Sequence, residues 1–104
     1  MGEPGLSIAL VKSAVVPLLA PYARRLFLFG SVASGEAVET SDVDILVELK
    51  PAKERPPLGL RWFGLERELA ALLGRQVDLV SDDAVSPHLR PFIERQKVLL
   101  YAEG

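Results

Sequence analysis

The chain has 104 residues, 49% hydrophobic and 25% charged, a balance that excludes a disordered or fibrous chain. At this length folding buries roughly two-thirds of the unfolded surface, enough for one modest core. Cysteine is absent, which excludes disulfide frameworks and thiolate metal sites and suits a cytoplasmic protein; the net charge of -2 argues against a protein that lives on nucleic-acid backbone.

The first apolar stretch, LSIALVKSAVVPLLAPYA, invites comparison with a targeting or membrane segment. Glu3 is the only charge before Lys12, so no basic leader precedes it, and Lys12, Pro17 and Pro21 interrupt it. It reads instead as a helix from Leu6 to about Ala20 in a soluble protein, with Leu6, Leu10 and Ala14 on one stripe. Pro17 should kink that helix or end its regular part. Arg24 and Arg25 are expected at its C-terminal end, where cations are favoured. The run LFLF then reads as a buried strand that Gly30 ends. Ser31 to about Val38 reads as a turn and a short helix, and Asp42 to about Leu49 as a second strand.

The segment KPAKERPP, with three prolines and four charges, is a surface loop. LGLRWFGLERELAALLG is the clearest helix, with Leu65, Leu69, Leu72 and Leu73 at helical spacing and Gly74 as its stop. Glu66 and Glu68 fall on its exposed face, and Trp62 and Phe63 read as core or an interface patch. QVDLV, residues 76–80, is a third strand. SDDAVSP is a turn with Asp82 and Asp83 in solvent. Pro87 to about Arg95 reads as a short helix despite Pro91; His88 at its start takes no role. KVLLY is an edge strand or a tail. Strands alternating with helices make an α/β layer fold.

The chemistry converges on a few residues. Asp42 and Asp44 are two apart in an extended segment, so their side chains share a face with Cα atoms roughly 6.5 Å apart. Asp78 interrupts the apolar strand VDLV, which is costly unless something pairs with it. If the third strand neighbours the second, three carboxylates meet, and a divalent cation converts their repulsion into a site. Oxygen-only ligands suit Mg²⁺ or Mn²⁺. Gly30-Ser31 follows a strand and opens a helix. Glycine admits a phosphate close to the backbone, free N–H groups at a helix start attract anions, and the Ser31 hydroxyl adds a hydrogen bond. A phosphate cradle beside a carboxylate metal site is what phosphoryl or nucleotidyl transfer needs. A calcium-loop reading of Asp42-x-Asp44 fails, because Leu46 occupies the third acidic position and no closing Glu follows.

Gly30-Ser31, ten intervening residues and Asp42-Val43-Asp44 together resemble the signature of the DNA polymerase β-like nucleotidyltransferase superfamily. The short chain and the later QVDLV strand resemble the minimal nucleotidyltransferase (MNT) family, over about Leu26 to Tyr101. The resemblance implies one nucleotidyltransferase domain over residues 1–104, an α/β (α+β) fold with a small mixed sheet flanked by helices. It implies that Asp42 and Asp44 hold Mg²⁺ (or Mn²⁺) on a nucleoside triphosphate, with ATP the expected donor. Asp78 would complete the metal site and help deprotonate the acceptor hydroxyl. Gly30 and Ser31 would hold the β and γ phosphates. The acceptor oxygen would attack the α-phosphorus and release pyrophosphate. The implied partner is a HEPN-domain ribonuclease toxin, which such an antitoxin neutralises by transferring AMP to it, commonly onto a Tyr. Neither a membrane nor stable nucleic-acid binding is implied.

One departure concerns the turn. Family members often read Gly-Ser-Arg-Ala-Arg-Gly, whereas here Val32 and Ser34 stand at the arginine positions. Arg61, Arg67 and Arg90 are the candidates to supply the missing charge. Gly35-Glu36-Ala37 and Ser41 match the usual pattern, and Ser41 is placed to cap or brace the Asp strand. Two other readings are a weak or inactive relative that neutralises its partner by contact alone, and a transferase acting on RNA or a small molecule.

Overall fold

The computed structural model describes residues 7–36 and 41–104. Leu6, at the start of the first predicted helix, and Ala37 and Val38, at the end of the predicted turn and helix, lie outside them. Four helices are present among the described residues: α1 (Ile8–Leu19), α2 (Gly30–Ser34), α3 (Arg61–Leu73) and α4 (Arg90–Gln96). Four strands accompany them: β1 (Ala23–Phe29), β2 (Val43–Leu49), β3 (Val77–Ser81) and β4 (Val98–Ala102). They form one mixed sheet in the order β3-β2-β1-β4. β1 runs antiparallel to both β2 and β4, and β2 runs parallel to β3.

The sheet buries its two faces unequally. Val43, Ile45 and Val47 of β2 and Leu26 and Leu28 of β1 face α1 and α3 and are fully buried. The alternate residues Phe27 and Leu46 face α4, where Ile93 packs on them. Ser7 caps α1 by accepting the Leu10 N–H at 3.0 Å. The buried stripe of α1 is Val11, Val15 and Leu19, so the predicted stripe is rotated by one position. Leu10 is 51% exposed. The helix is so apolar that more than one stripe could face a core, and periodicity alone does not choose between them. α1 continues past Pro17 only to Leu19 and then tightens into a 3-10 turn over Ala20–Tyr22.

Arg24 and Arg25 do not end a helix. They lie within β1, where Arg25 is paired with Glu48 of β2 at 2.7 Å. Cross-strand pairing outweighed the local preference for a helix terminus. On α3, Leu65, Leu69 and Leu73 are buried and Gly74 takes the expected left-handed stop at φ 68°. Leu72, however, is 63% exposed, because three residues at intervals of four already fill the contact with the sheet. α4 starts at Arg90 with Pro91 in its first turn, the position where a missing N–H costs nothing. The turn before it is tied down: Arg90 reaches Asp82 Oδ1 at 3.0 Å and the Asp82 carbonyl at 2.6 Å, so Asp82 is an anchor and not a freely solvated turn residue. Among the described residues no helix is long and apolar enough to cross a membrane.

Candidate active site

The β1–α2 junction and the first half of β2 meet at Gly30. Its φ is +80°, a region side chains other than glycine rarely enter. A Cβ added there would overlap Asp44 Oδ2. Gly30 is thus required twice, by the turn and by the approach of a carboxylate. Ser31 follows, half-buried, and its carbonyl accepts the Glu36 N–H at 2.9 Å. No side chain caps the start of α2, and Gly35 ends it at φ +81°. Val32 is buried in the main core, and Ser34 Oγ lies 3.2 Å from both the Ser31 carbonyl and Glu36 Oε1. The described part of this turn therefore carries no cation.

The register of the sheet brings two of the three predicted acidic residues, Asp44 and Asp78, side by side, and leaves Asp42 outside the pairing. Asp44 is the pairing partner of Phe29 on one side and of Asp78 on the other. Asp42 lies just ahead of β2 and is exposed, next to half-buried Ser41. Asp44 is half-buried, and burial pushes its carboxyl up to about 6, with Asp78 and then Asp42 adding like-charge repulsion. Asp44 and Asp78 open into a cavity of about 500 Å³ whose other walls include Phe29, Glu66, Val85 and Leu89. A second cavity of about 480 Å³, at the far end of β2 beside Lys50 and Asp83, touches neither carboxylate.

Among the described residues no three acidic side chains stand close enough to form a ready-made metal cage. That is compatible with Mg²⁺, which is usually held by one or two carboxylates together with substrate phosphates and water. The donor set fits a hard cation: oxygen ligands only, with an elevated carboxyl whose ionised form a positive charge would favour.

Glu66 departs from its expected place on the exposed face of α3. It is half-buried and accepts the Leu79 N–H at 2.8 Å, joining α3 to β3 beside Asp78. The only hint in the sequence is its position next to Leu65, at the border of the apolar stripe. Glu68 is exposed as expected and pairs with Arg61 at 3.1 Å. Of the candidate cations, Arg61 is thus engaged, Arg90 is shared between Asp82 and Glu94, and Arg67 is exposed. His88 is exposed in the turn before α4.

A turn-and-helix beside paired strand carboxylates in a four-stranded mixed sheet defines a nucleotide-handling class, and comparison with known proteins identifies it. The family described as nucleotidyltransferase domain matches residues 17–100. The protein adenylyltransferase MntA of Thermococcus cleftensis is 41% identical over 75 residues, 72% of each chain. A solved structure of a candidate minimal nucleotidyltransferase is 34% identical with a TM-score of 0.70, covering 92% of this chain and 98% of that one. A structure of a tri-AMPylated Shewanella oneidensis HEPN toxin in complex with an MNT antitoxin aligns at 26% identity with a TM-score of 0.67, over 92% of this chain and 73% of that one. The chain belongs to the nucleotidyltransferase domain family and, within the polymerase β-like fold, to the minimal nucleotidyltransferases. Its reaction class is nucleotidyl transfer and its substrate a nucleotide.

Proposed function

We propose that this protein transfers AMP from ATP to a hydroxyl of a partner protein, a HEPN-type toxin, and so acts as its antitoxin in the cytoplasm. The observation that carries the reading is the apposition of Asp44 and Asp78 in neighbouring parallel strands, with Gly30 pressed against Asp44. The names of the relative and of the aligned complex, an adenylyltransferase and an AMPylated toxin with its antitoxin, support the choice of AMP and of a protein acceptor.

In this reading Asp44 and Asp78, joined by Asp42 from the exposed segment ahead of β2, would hold Mg²⁺ or Mn²⁺. Bound there, the cation would neutralise the triphosphate and offset the repulsion among the carboxylates. Gly30 and Ser31 receive the β and γ phosphates at the uncapped start of α2. Asp78 takes the proton from the acceptor hydroxyl. The acceptor oxygen forms the new bond to the α-phosphorus as the bond to the pyrophosphate oxygen breaks, in line. Asp44, with its carboxyl near 6, is mostly ionised at neutral pH.

A second reading, neutralisation by contact alone, draws on the absence of a cation at Val32 and Ser34. One experiment separates the two. Lysate of the source cells is incubated with ATP labelled at the α-phosphate, Mg²⁺ and either wild type or Asp42→Asn/Asp44→Asn. A discrete protein band labelled by wild type only is expected. No label with any of the four nucleotides, from protein shown to be folded, would overturn AMP transfer and leave contact as the mechanism.

A further inference from the structure

Among the described residues β3 is an edge strand, with β2 on one side and no strand on the other. The Val43 N–H donates to the Gln76 carbonyl at 2.9 Å, so Gln76 addresses β2. Backbone groups alternate sides along a strand, so Asp78 and Val80 address β2 as well, and Leu79 addresses the open edge. An N–H pointing out of a sheet edge has water or a stray strand as its ordinary partner. Here it has Glu66 Oε2, at 2.8 Å, reaching over the edge from α3. The peptide unit between Asp78 and Leu79 is therefore fixed from both sides, with its carbonyl facing β2 and its N–H on Glu66.

We infer that Glu66 is a positioning residue for nucleotidyl transfer, holding the Asp78–Leu79 peptide so that the Asp78 carboxylate stays opposite Asp44. The inference rests on the assignment of Asp78 to the site. Three observations support it. The bond is from a charged acceptor to a main-chain donor, the stronger kind of hydrogen bond. It falls on the one peptide that carries the Asp78 carbonyl. Glu66 also lines the same cavity as Asp44 and Asp78, although a further negative charge beside two carboxylates is unfavourable in itself. Glu66 does not touch the reacting atoms in this scheme; it acts through Asp78.

The test combines exchange and kinetics. In the folded wild-type protein the Leu79 amide, despite its edge position, should exchange with deuterium far more slowly than the outward amides of Val77 and Ser81; equal exchange would overturn the inference without any variant. Glu66→Ala should lower kcat for AMP transfer from α-labelled ATP to the lysate acceptor by about tenfold to a hundredfold, the range typical when a partner of a site ligand is lost. KM for ATP should change far less than kcat, since Gly30 and Ser31 hold the phosphates and Glu66 touches neither. Glu66→Gln, which keeps the acceptor oxygen, should recover most of the rate. Unchanged kcat in Glu66→Ala, or a loss that Gln fails to rescue, would overturn the positioning role. Asp78→Asn run alongside separates the two levels: if it is inactive while Glu66→Ala is fully active, only this inference fails; if Asp78→Asn is itself active, the assignment beneath it fails.

Discussion

The two faces of the sheet are built for different purposes. Toward α1 and α3 the strands present Val43, Ile45, Val47, Leu26 and Leu28, all fully buried, in a cluster with no buried polar group. Toward α4 the buried cluster is only Phe27, Leu46 and Ile93, and the row of side chains containing Leu46 also holds Asp44. The difference teaches how a half-buried carboxylate is tolerated in mid-strand. Alternation along β2 lets residues 43, 45 and 47 anchor the backbone from one side while residue 44 is spent on chemistry on the other. Stability and reactivity are separated by direction and not by distance along the chain.

The sharpest way to break this division is Asp44→Asn. AMP transfer should fall by more than the roughly 100-fold seen when only a partner of a site ligand is removed, measured with α-labelled ATP, while the metal-free protein becomes more stable at pH 8. The second effect follows from the elevated carboxyl, about 6 against its ordinary 3.8. The folded chain binds this proton more tightly than the unfolded one. Asp44 therefore contributes its stability below its ordinary value and loses it as pH rises through the folded one. The stability of wild type relative to Asp44→Asn should fall between those values and then level off, measured by urea denaturation across that range. A flat difference would mean that Asp44 is neither desolvated nor repelled.

On the opposite face, Leu69→Ala should cost about 2–5 kcal/mol through the cavity it leaves. Leu72→Ala, one turn away on the exposed side of the same helix, should change stability by at most about 0.5 kcal/mol. Equal losses in thermal or chemical unfolding would contradict the direction in which α3 is docked. Gly30→Ala is expected to cost about 1–2 kcal/mol for the left-handed backbone alone, and more where its Cβ displaces Asp44 Oδ2. Weaker ATP binding should accompany the loss, and intact affinity would mean that the phosphates do not use this turn. The smallest effect belongs to the Arg25–Glu48 pair on the rim, where Arg25→Gln should cost at most about 1 kcal/mol and less in high salt.

Much of this arrangement was readable in the sequence. Gly74 as a helix stop, Pro91 inside a short helix and the strand character of QVDLV depend on local chemistry, and local chemistry decided them. Asp42, Asp44 and Asp78 stood out because carboxylates beside apolar strands demand a reason. What the sequence withheld was relational. The pairing of Asp44 with Asp78 depends on the parallel register of β2 and β3, which no single segment encodes. The choice of Val11 over Leu10, and of Leu73 over Leu72, depends on which side of each helix meets the sheet. Glu66 was hidden for the same reason: only once α3 is docked does one of its glutamates overhang an edge. The place of Arg25 is likewise set by a partner, Glu48, on another strand.

The position of β1 between β2 and β4 bears on how the sheet comes together. Phe27 pairs with Leu46 on one flank and with Leu99 on the other. The first pairing closes a short span of chain, whereas the second closes one that contains β2, α3, β3 and α4. Loop-closure entropy makes the β1–β4 pairing the costlier of the two to close. Without it β1, one of the two inner strands of the finished sheet, is an edge strand.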